Sequence, residues 1–222
     1  ASRVLIPAFK KAGASMGSIV TSGGVSGAHF GKKLGFASVS TEDAQIFEDA
    51  KINTVVIATR HDSHANFVIK AIEAGKHVFV EKPLALTLDQ IERIQSAWSK
   101  REAGGASMPI LMIGFNRRFS PLVVKMKSLL SPVKSPKAFI YTCNAGAIPA
   151  DHWTQNAETG GGRLVGEACH FVDLLRHLAD SPITSFQVMT MGRNPATSIV
   201  DDKAIISLQF EDGSIGTIQY FA

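Results

Sequence analysis

The residue whose surroundings most suggest chemistry is Lys82, in the stretch Val80-Glu81-Lys82-Pro83. The apolar run over 77–80 predicts a buried strand directly before it. Ligands of doubly wound sheets bind beyond the carboxyl ends of the strands, so a lysine there projects into the ligand crevice. Such a lysine can exchange a proton with a substrate hydroxyl. The alternative interpretation is an ordinary surface lysine in a strand-to-helix turn.

The elements that must position Lys82 alternate between strand and helix through the first half of the chain. This alternation predicts an α/β fold with a doubly wound parallel sheet. From residue 119 onward, strand-like runs follow one another, and Asp212-Gly213 forms a hairpin turn between the last two. The second half is therefore predicted to be an α+β domain with an open, mainly antiparallel sheet. The predicted strands are 17–21, 54–58, 77–80, 109–114, 138–144, 183–191, 203–210 and 215–221.

Composition and charge narrow the class of protein. The 222 residues carry a net charge of +4, and the basic residues are scattered without interleaved aromatics. Nucleic-acid binding is therefore not expected, whereas the net positive charge is compatible with a small acidic ligand. No apolar run reaches the ~20 residues of a membrane span, and no membrane partner is predicted. The two cysteines, Cys143 and Cys169, are far apart, which indicates reduced thiols in a cytoplasmic protein.

Three segments resemble, in order and spacing, those of the glucose-fructose oxidoreductase, inositol dehydrogenase and rhizopine-catabolism (Gfo/Idh/MocA) family. Together with a fourth segment over 160–173, the resemblance covers nearly the whole chain. The three segments are Val55-Val56-Ile57-Ala58-Thr59-Arg60-His61-Asp62-Ser63-His64-Ala65, Ala74-Gly75-Lys76-His77-Val78-Phe79-Val80-Glu81-Lys82-Pro83-Leu84 and Gly114-Phe115-Asn116-Arg117-Arg118-Phe119.

The resemblance implies two domains and an activity. Residues 1–118 would form a Rossmann domain that binds NAD or NADP, with its first strand missing from this chain. Residues 119–222 would form a C-terminally incomplete domain for substrate binding and oligomerisation. The implied reaction is hydride transfer to or from a secondary alcohol or ketone of a sugar, cyclitol or nucleotide sugar. A homo-oligomer, dimer or tetramer, through the C-terminal sheet is implied as well.

The resemblance also assigns roles to residues. The family's acid/base lysine, which lies near the nicotinamide, maps to Lys82. Positions that line the cofactor map to Thr59, Arg60, His61, His64, Glu81, Lys82 and Arg118. For His64 alone, a helix-terminal histidine bonded to the backbone is an equal alternative.

The sequence departs from the family pattern at two inspectable positions and lacks one motif. The glycine fingerprint for the dinucleotide phosphates is absent, and we expect it upstream of Ala1. Ser22 stands where an acid usually holds the ribose of NAD, which favours NADP slightly, although no arginine follows directly. Gly166 stands where the family has an aspartate. Glu167 is adjacent, but one residue along an α-helix turns about 100°, so we expect it to point elsewhere.

His170 and Asp173 match the family's histidine and second aspartate. We expect His170 at a helix N-terminus, where the dipole favours neutral imidazole. The hypothesis is that His170 takes the proton of the substrate hydroxyl while Lys82 holds the developing alkoxide. The alternative is a histidine that packs or caps the helix. The face shared by His170, Asp173 and His177 is spaced too loosely to predict a metal site.

Substrate contacts are expected from the polar loop before the glycines and from the following helix. Trp153 could stack on a sugar ring, and His152 and Arg163 could meet hydroxyl or phosphate groups. Glu167 and Asp173 complete the candidate substrate set. Two other classes stay open: an enzyme of the same family that uses NAD transiently for glycoside cleavage or epimerisation, and a non-catalytic dinucleotide-binding regulator.

Overall fold

The computed structural model describes residues 3–192 and 203–221, and within them helices alternate with strands up to residue 113. After that point a helix, a strand and a second helix precede three consecutive strands. The α-helices are α1 Leu5–Lys11, α2 Gly24–Leu34, α3 Ala44–Glu48, α4 His64–Glu73, α5 Leu88–Ala103, α6 Pro121–Leu130 and α7 Cys169–Ala179. The strands are β1 Ser18–Val20, β2 Ser38–Ser40, β3 Thr54–Ile57, β4 His77–Val80, β5 Leu111–Ile113, β6 Ala138–Asn144, β7 Ile183–Thr190, β8 Ala204–Phe210 and β9 Ile215–Phe221.

The contacts within the chain divide it into two compact units that interleave along the sequence. The loop after β3 and the loop after β4 belong to the second unit, together with the C-terminal half. The domain boundary predicted at 118/119 stays a prediction. The first unit comprises Ala1–Ala58, Ala65–Val80 and Glu92–Met112, and the second comprises Thr59–His64, Glu81–Ile91 and Ile113–Ala222.

The first unit is built on parallel strands. β1 pairs with β2, and β3 pairs with β4, both in parallel, and β4 lies between β3 and β5. Alternate residues of β3 and β4 are buried, and so is the apolar face of α4. β-branched side chains suit such half-buried strands. The buried apolar residues of β3, α4 and β4 are Val55, Ile57, Ala65, Val68, Ala71, Ile72, Val78 and Val80.

The second unit contains a four-stranded sheet with the order β6-β9-β8-β7. β6 pairs with β9 in parallel, and the other two pairings are antiparallel. Alternate residues of β8 and β9 are buried against α7, so one face of the sheet and one face of the helix form the core. The core comprises Ala168, Phe171, Leu175, Ala179, Ala204, Ile206, Leu208, Phe210, Ile218 and Tyr220.

The predicted fold class, an α/β unit with parallel strands followed by a mainly antiparallel sheet, is confirmed. Two helices have a side-chain bond at their start: the Ser120 hydroxyl accepts from the Val123 amide, and the Thr87 hydroxyl accepts from the Gln90 amide. One helix differs from its prediction. The segment Leu164–Ala168 forms a π-helical turn before α7 begins. Among the described residues, no helix is long and apolar enough to cross a membrane.

Candidate active site

Lys82 follows β4 in the chain and precedes Pro83, to which it is joined by a cis peptide bond. Its ammonium group donates a hydrogen bond of 2.6 Å to the carbonyl oxygen of Gly166. Gly166 is buried in the π-helical turn before α7. A π-turn carries one residue more than an α-turn and therefore reorients the backbone, a feature common at functional sites. Lys82 is thus brought to the same turn that precedes His170.

The space beside Gly166 is occupied by the ring of His61. A Cβ atom at position 166 would lie 3.1 Å from Cε1 of that ring, tighter than ordinary van der Waals contact. A side chain at 166 would require the ring to shift by a few tenths of an ångström. The aspartate that the family commonly has at this position would therefore crowd His61 as it stands here.

The ring of His61 is fixed by two neighbours. Its Nδ1 lies 2.8 Å from the carbonyl oxygen of Gly160, and its ring meets Trp153 edge to face at 4.7 Å. A carbonyl only accepts, so Nδ1 carries the proton and Nε2 keeps its lone pair. Burial lowers the pKa of His61, the hydrogen bond with Gly160 opposes this, and the charge of Lys82 adds to the lowering. His61 is therefore a neutral imidazole at physiological pH.

Gly160 is required at its position by close packing. A Cβ atom there would lie 2.3 Å from Cα of Thr154. Only glycine lets the 160–162 segment approach the turn over 153–155 this closely. This approach places the Gly160 carbonyl against His61, so the glycine-rich segment orients a side chain of the site.

The half-buried Glu167 forms a network with two buried residues. Its carboxylate accepts a 2.6 Å hydrogen bond from the Tyr220 hydroxyl and a 2.9 Å hydrogen bond from Arg163, whose guanidinium also bonds the Gly146 carbonyl. Burial alone would raise the pKa of the Glu167 carboxyl. The hydrogen bonds from Tyr220 and Arg163 and the charge of Lys82 outweigh it and keep this pKa below its usual value.

The expectation that Glu167 points elsewhere than the family's aspartate stays a prediction; its carboxylate is directed to Tyr220 and Arg163. The expectation assumed the 100° step of an α-helix, whereas residues 164–168 follow the wider π-turn. Glu167 is an ionised group held in a fixed position by Tyr220 and Arg163.

His170 is the second residue of α7, and it is about nine-tenths buried. Its Nδ1 is buried and has no hydrogen-bond partner among the described residues. Burial, with the charges of Lys82 and Arg117, lowers the pKa of His170 to about 4. The imidazole is neutral, as expected, but not because of a free helix N-terminus: the π-turn continues the helix in front of α7. Its neutrality comes from burial and neighbouring cations.

Asp173 lies one turn after His170 and is paired with Arg118. Nε of Arg118 donates to the carboxylate at 2.7 Å, and a second nitrogen bonds the other oxygen. The side chain of Asp173 is buried, and the hydrogen bond with Asp173 raises the pKa of Arg118. Both groups were predicted to meet ligands, but here they satisfy each other in a bidentate pair. Their contact with substrate or cofactor stays a prediction.

His64 is fully buried, and both ring nitrogens face backbone carbonyls: Nδ1 is 2.7 Å from the oxygen of Pro83, and Nε2 is 3.1 Å from that of Thr59. The structure thus shows the alternative of a histidine bonded to the backbone. His64 connects the loop after β3 to the loop that carries Lys82, which makes it a support of the site.

Most of the other predicted residues have contacts of their own. Arg60 is exposed and lies over the Trp153 ring at 5.8 Å, and His152 bonds the Thr154 hydroxyl. The Thr59 hydroxyl pairs with Ser63, while the Glu81 side chain is half-buried without a hydrogen bond among the described residues. Ser22 is exposed between β1 and α2 in the first unit.

Two residues that belong to the candidate site were not predicted from the sequence. Arg117 precedes the predicted Arg118 in the same segment, so the segment itself was the available signal. Its guanidinium carbon lies 4.8 Å above the Phe171 ring. Tyr220 occupies a core position in the alternation of β9, and nothing in the sequence links it to Glu167. Among the described residues, no group of histidine, cysteine and acidic side chains could hold a metal ion.

Comparison with known proteins assigns both parts of the chain. Residues 3–104 match the model of the oxidoreductase family with an NAD-binding Rossmann fold, and residues 137–222 match that of the GFO/IDH/MocA C-terminal domain. The scyllo-inositol 2-dehydrogenase (NAD(+)) of Bacillus subtilis (strain 168) is 32% identical over 196 residues, which are 85% of this chain and 54% of that protein. The myo-inositol 2-dehydrogenase of Thermotoga maritima is 26% identical, over 84% of this chain and 55% of its own length.

A solved structure of levoglucosan dehydrogenase, in complex with NADH and levoglucosan, superposes with a TM-score of 0.77 at 25% identity. It covers 91% of this chain, which in turn covers 56% of that protein. The chain therefore spans about half the length of the curated relatives that it matches. The two family models match in sequence order, and the relatives and the shared fold agree with them. The chain therefore belongs to the Gfo/Idh/MocA oxidoreductase family.

Proposed function

We propose that the protein is an NAD(P)-dependent oxidoreductase that transfers a hydride between the nicotinamide and a secondary alcohol or ketone of a sugar, a cyclitol or a nucleotide sugar. The observation that carries the proposal is that Lys82 is bonded to the turn directly before a neutral, buried His170, whose Nδ1 has no partner among the described residues. A buried polar atom without a partner is costly, so it is expected to bind a ligand group. The named activities of the relatives support the same class of reaction.

A nicotinamide dinucleotide fits the residues present. The buried, unpartnered Nδ1 of His170 and the ammonium group of Lys82 leave polar groups for a ligand beside the π-turn. The nicotinamide side would be lined by Lys82, Glu81, Thr59 and Arg60, with His61 as a supporting residue. When bound, the dinucleotide supplies a hydride acceptor and donor. Ser22 is proposed at the adenosine ribose, with NAD and NADP both open.

The chain's own residues divide the proton chemistry. A substrate hydroxyl donates to Nδ1 of His170, which is neutral and can take the proton as the hydride leaves the carbon. The ammonium group of Lys82 stabilises the oxygen that becomes an alkoxide and then a carbonyl. In the reverse reduction, the same proton returns from His170 to the carbonyl oxygen. Trp153 and His152 are proposed to contact the sugar ring.

The outer face of the C-terminal sheet is proposed as a contact between copies of the protein. On the side of the sheet opposite α7, Ile140, Met189 and Ile215 are exposed apolar side chains. Exposed apolar groups gathered on one sheet face are typical of association surfaces. The sheet then serves both as the support of α7 and as an oligomer interface.

The test uses the full-length protein with NAD or NADP and a panel of sugars, cyclitols and nucleotide sugars. Absorbance at 340 nm should show net reduction of the dinucleotide with at least one alcohol. Lys82→Met and His170→Asn should each lower kcat by about 10²- to 10⁴-fold, the contribution of a positioned acid or base. Dinucleotide binding, measured by titration calorimetry, should persist in His170→Asn.

Two results would contradict the proposal and favour another function. Product formation without any net change in dinucleotide absorbance would indicate transient oxidation, as in glycoside cleavage or epimerisation. Retention of the biological activity in both variants, with dinucleotide binding intact, would indicate a regulator that binds the dinucleotide without catalysis.

A further inference from the structure

Arg117 is a cation without an anionic partner in the part of the chain that the structure describes. Its guanidinium lies over the Phe171 ring, 4.8 Å from the centroid, and Phe171 is itself fully buried and stacked on Tyr141 at 4.5 Å. Within the described residues its Nε is buried and has no hydrogen-bond partner, and no ion pair is formed by its other nitrogens. The side chain is therefore held in place by an aromatic ring while its donors stay available.

The charges around His170 do not balance. Lys82, Arg117, Glu167 and Asp173 are the charged groups that act on its imidazole. Each of the two acids is already paired with its own arginine, Glu167 with Arg163 and Asp173 with Arg118. Lys82 bonds only the neutral carbonyl of Gly166. Two positive charges thus remain beside a neutral histidine.

We propose that the substrate of this site is a sugar acid, whose carboxylate is bound by the guanidinium of Arg117. The inference rests on the proposed function and names the substrate class for it. A carboxylate would supply the missing anion and satisfy the buried nitrogen of Arg117. Lys82 stays available for the reacting oxygen.

The chemistry of Arg117 favours a carboxylate over other anions. A guanidinium is planar and presents parallel N–H donors that match the two oxygens of a carboxylate. Stacking on Phe171 holds the plane of this fork at a defined position. A singly charged planar group also loses less hydration on entering a partly buried site than a doubly charged phosphate does.

The experiment compares matched pairs of sugars on the full-length protein loaded with NADH. Affinities for glucuronate and glucose, and for galacturonate and galactose, are measured by titration calorimetry, with glucose 6-phosphate as the phosphate arm. A binding measurement separates recognition from turnover. The variants are Arg117→Gln, Arg117→Lys and Arg176→Gln. The last removes the same charge from an exposed position of α7 and serves as the matched control.

At least one acid should bind about 10- to 100-fold more tightly than its neutral counterpart, as expected for a charge-assisted bidentate pair. Arg117→Gln should abolish this preference. Arg117→Lys, which keeps the charge and loses the planar fork, should retain only part of it, and Arg176→Gln should retain all of it. Thermal melting of each variant shows that the loss does not come from unfolding, and Arg117→Lys provides a reading if Arg117→Gln is unstable.

Three outcomes would overturn the inference. No acid in the panel binds better than its neutral partner, the preference survives in Arg117→Gln, or the phosphate sugar binds more tightly than both acids. Each of these leaves the proposed function standing if sugars are oxidised with net dinucleotide turnover. A protein that binds no NADH overturns the proposed function instead.

Discussion

A side chain at position 166 and the ring of His61 compete for the same space. The Cβ position at Gly166 lies 3.1 Å from Cε1 of His61, and the Gly166 carbonyl accepts from Lys82. The backbone of position 166 thus binds the lysine, while an imidazole narrows the space open to a side chain there.

Gly166→Asp should therefore destabilise the protein rather than improve its active site. The new side chain must displace the buried His61 ring, and overpacking of this kind costs about 1–3 kcal/mol. Urea unfolding should show a lower midpoint, and kcat should fall because the Lys82 acceptor moves. The control is Gly17→Ala, where the nearest side-chain atom is 3.6 Å from the Cβ position and no loss is expected.

The double variant His61→Ala with Gly166→Asp sharpens this test. Removal of the ring vacates the space, so the two changes together should cost less than the sum of the single changes. Additive losses would show that the two positions do not compete. A wild-type midpoint for Gly166→Asp alone would also contradict the relationship.

Tyr220→Phe should weaken the support of Glu167. It removes one hydrogen bond to a carboxylate, a loss of about 1.5–3 kcal/mol for a bond to a charged group. The free energy of unfolding in urea measures it. Tyr141→Phe is the matched control, because the Tyr141 hydroxyl makes no hydrogen bond among the described residues and its loss should change stability by less than about 0.5 kcal/mol. Equal effects of the two substitutions would count against the network.

The free energy of unfolding should decrease as the pH is lowered, and His170 should account for part of the decrease. Its pKa is lowered to about 4 in the folded protein from 6.5, so the unfolded chain binds more protons between these values. The stabilisation is fully present above pH 6.5 and is lost as the pH falls toward 4, by up to about 3 kcal/mol.

The measurement is the stability difference between the wild-type protein and His170→Asn at pH 7 and at pH 4.5. The variant keeps His61 and His177, whose pKa values are also lowered, so the comparison isolates His170. The wild-type protein should lose more stability than the variant on acidification. The same difference at both pH values would show that His170 is not held neutral.

Arg118→Met should be among the most destabilising single changes in the second unit. It leaves the buried carboxylate of Asp173 without its partner, at a cost of about 3 kcal/mol. Lys70→Met removes the partner of Asp43 in a largely exposed pair and should cost less than about 1 kcal/mol. Thermal unfolding of the two variants compares a buried ion pair with an exposed one. Similar losses would indicate that Asp173 finds another partner.

Ile140→Glu combined with Met189→Glu should dissociate the oligomer that we propose to form through the outer face of the C-terminal sheet. Charges placed on an apolar contact must be desolvated without partners when the contact forms. The mass in solution, measured by light scattering, should fall to that of one chain. Leu122→Glu changes an equally exposed apolar residue on α6 and should leave the mass unchanged. An unchanged mass in the double variant would place the contact elsewhere.

The parts of the fold that sequence could predict are those set by local rules. Ser120 caps α6 because its hydroxyl reaches an amide three residues away, and this is visible in a short window. The position of Lys82 after a buried strand is likewise a local feature. In both cases the residues that decide the structure are neighbours in the chain.

The parts that could not be predicted depend on residues far apart in sequence. The contact of His61 with position 166 and the bond between Glu167 and Tyr220 join segments that no periodicity connects. The π-turn over 164–168 is a further example, because the local pattern there predicts an ordinary α-helix.

The π-turn over 164–168 accommodates one extra residue within a single turn, at the point where the Gly166 carbonyl accepts from Lys82. Loss of that residue would restore an α-turn and move the carbonyl, whereas the core contacts of Phe171 and Leu175 would hold α7 in its register. The group presented to Lys82 could therefore be altered by a change of length in this turn, with His170 and Asp173 left in place.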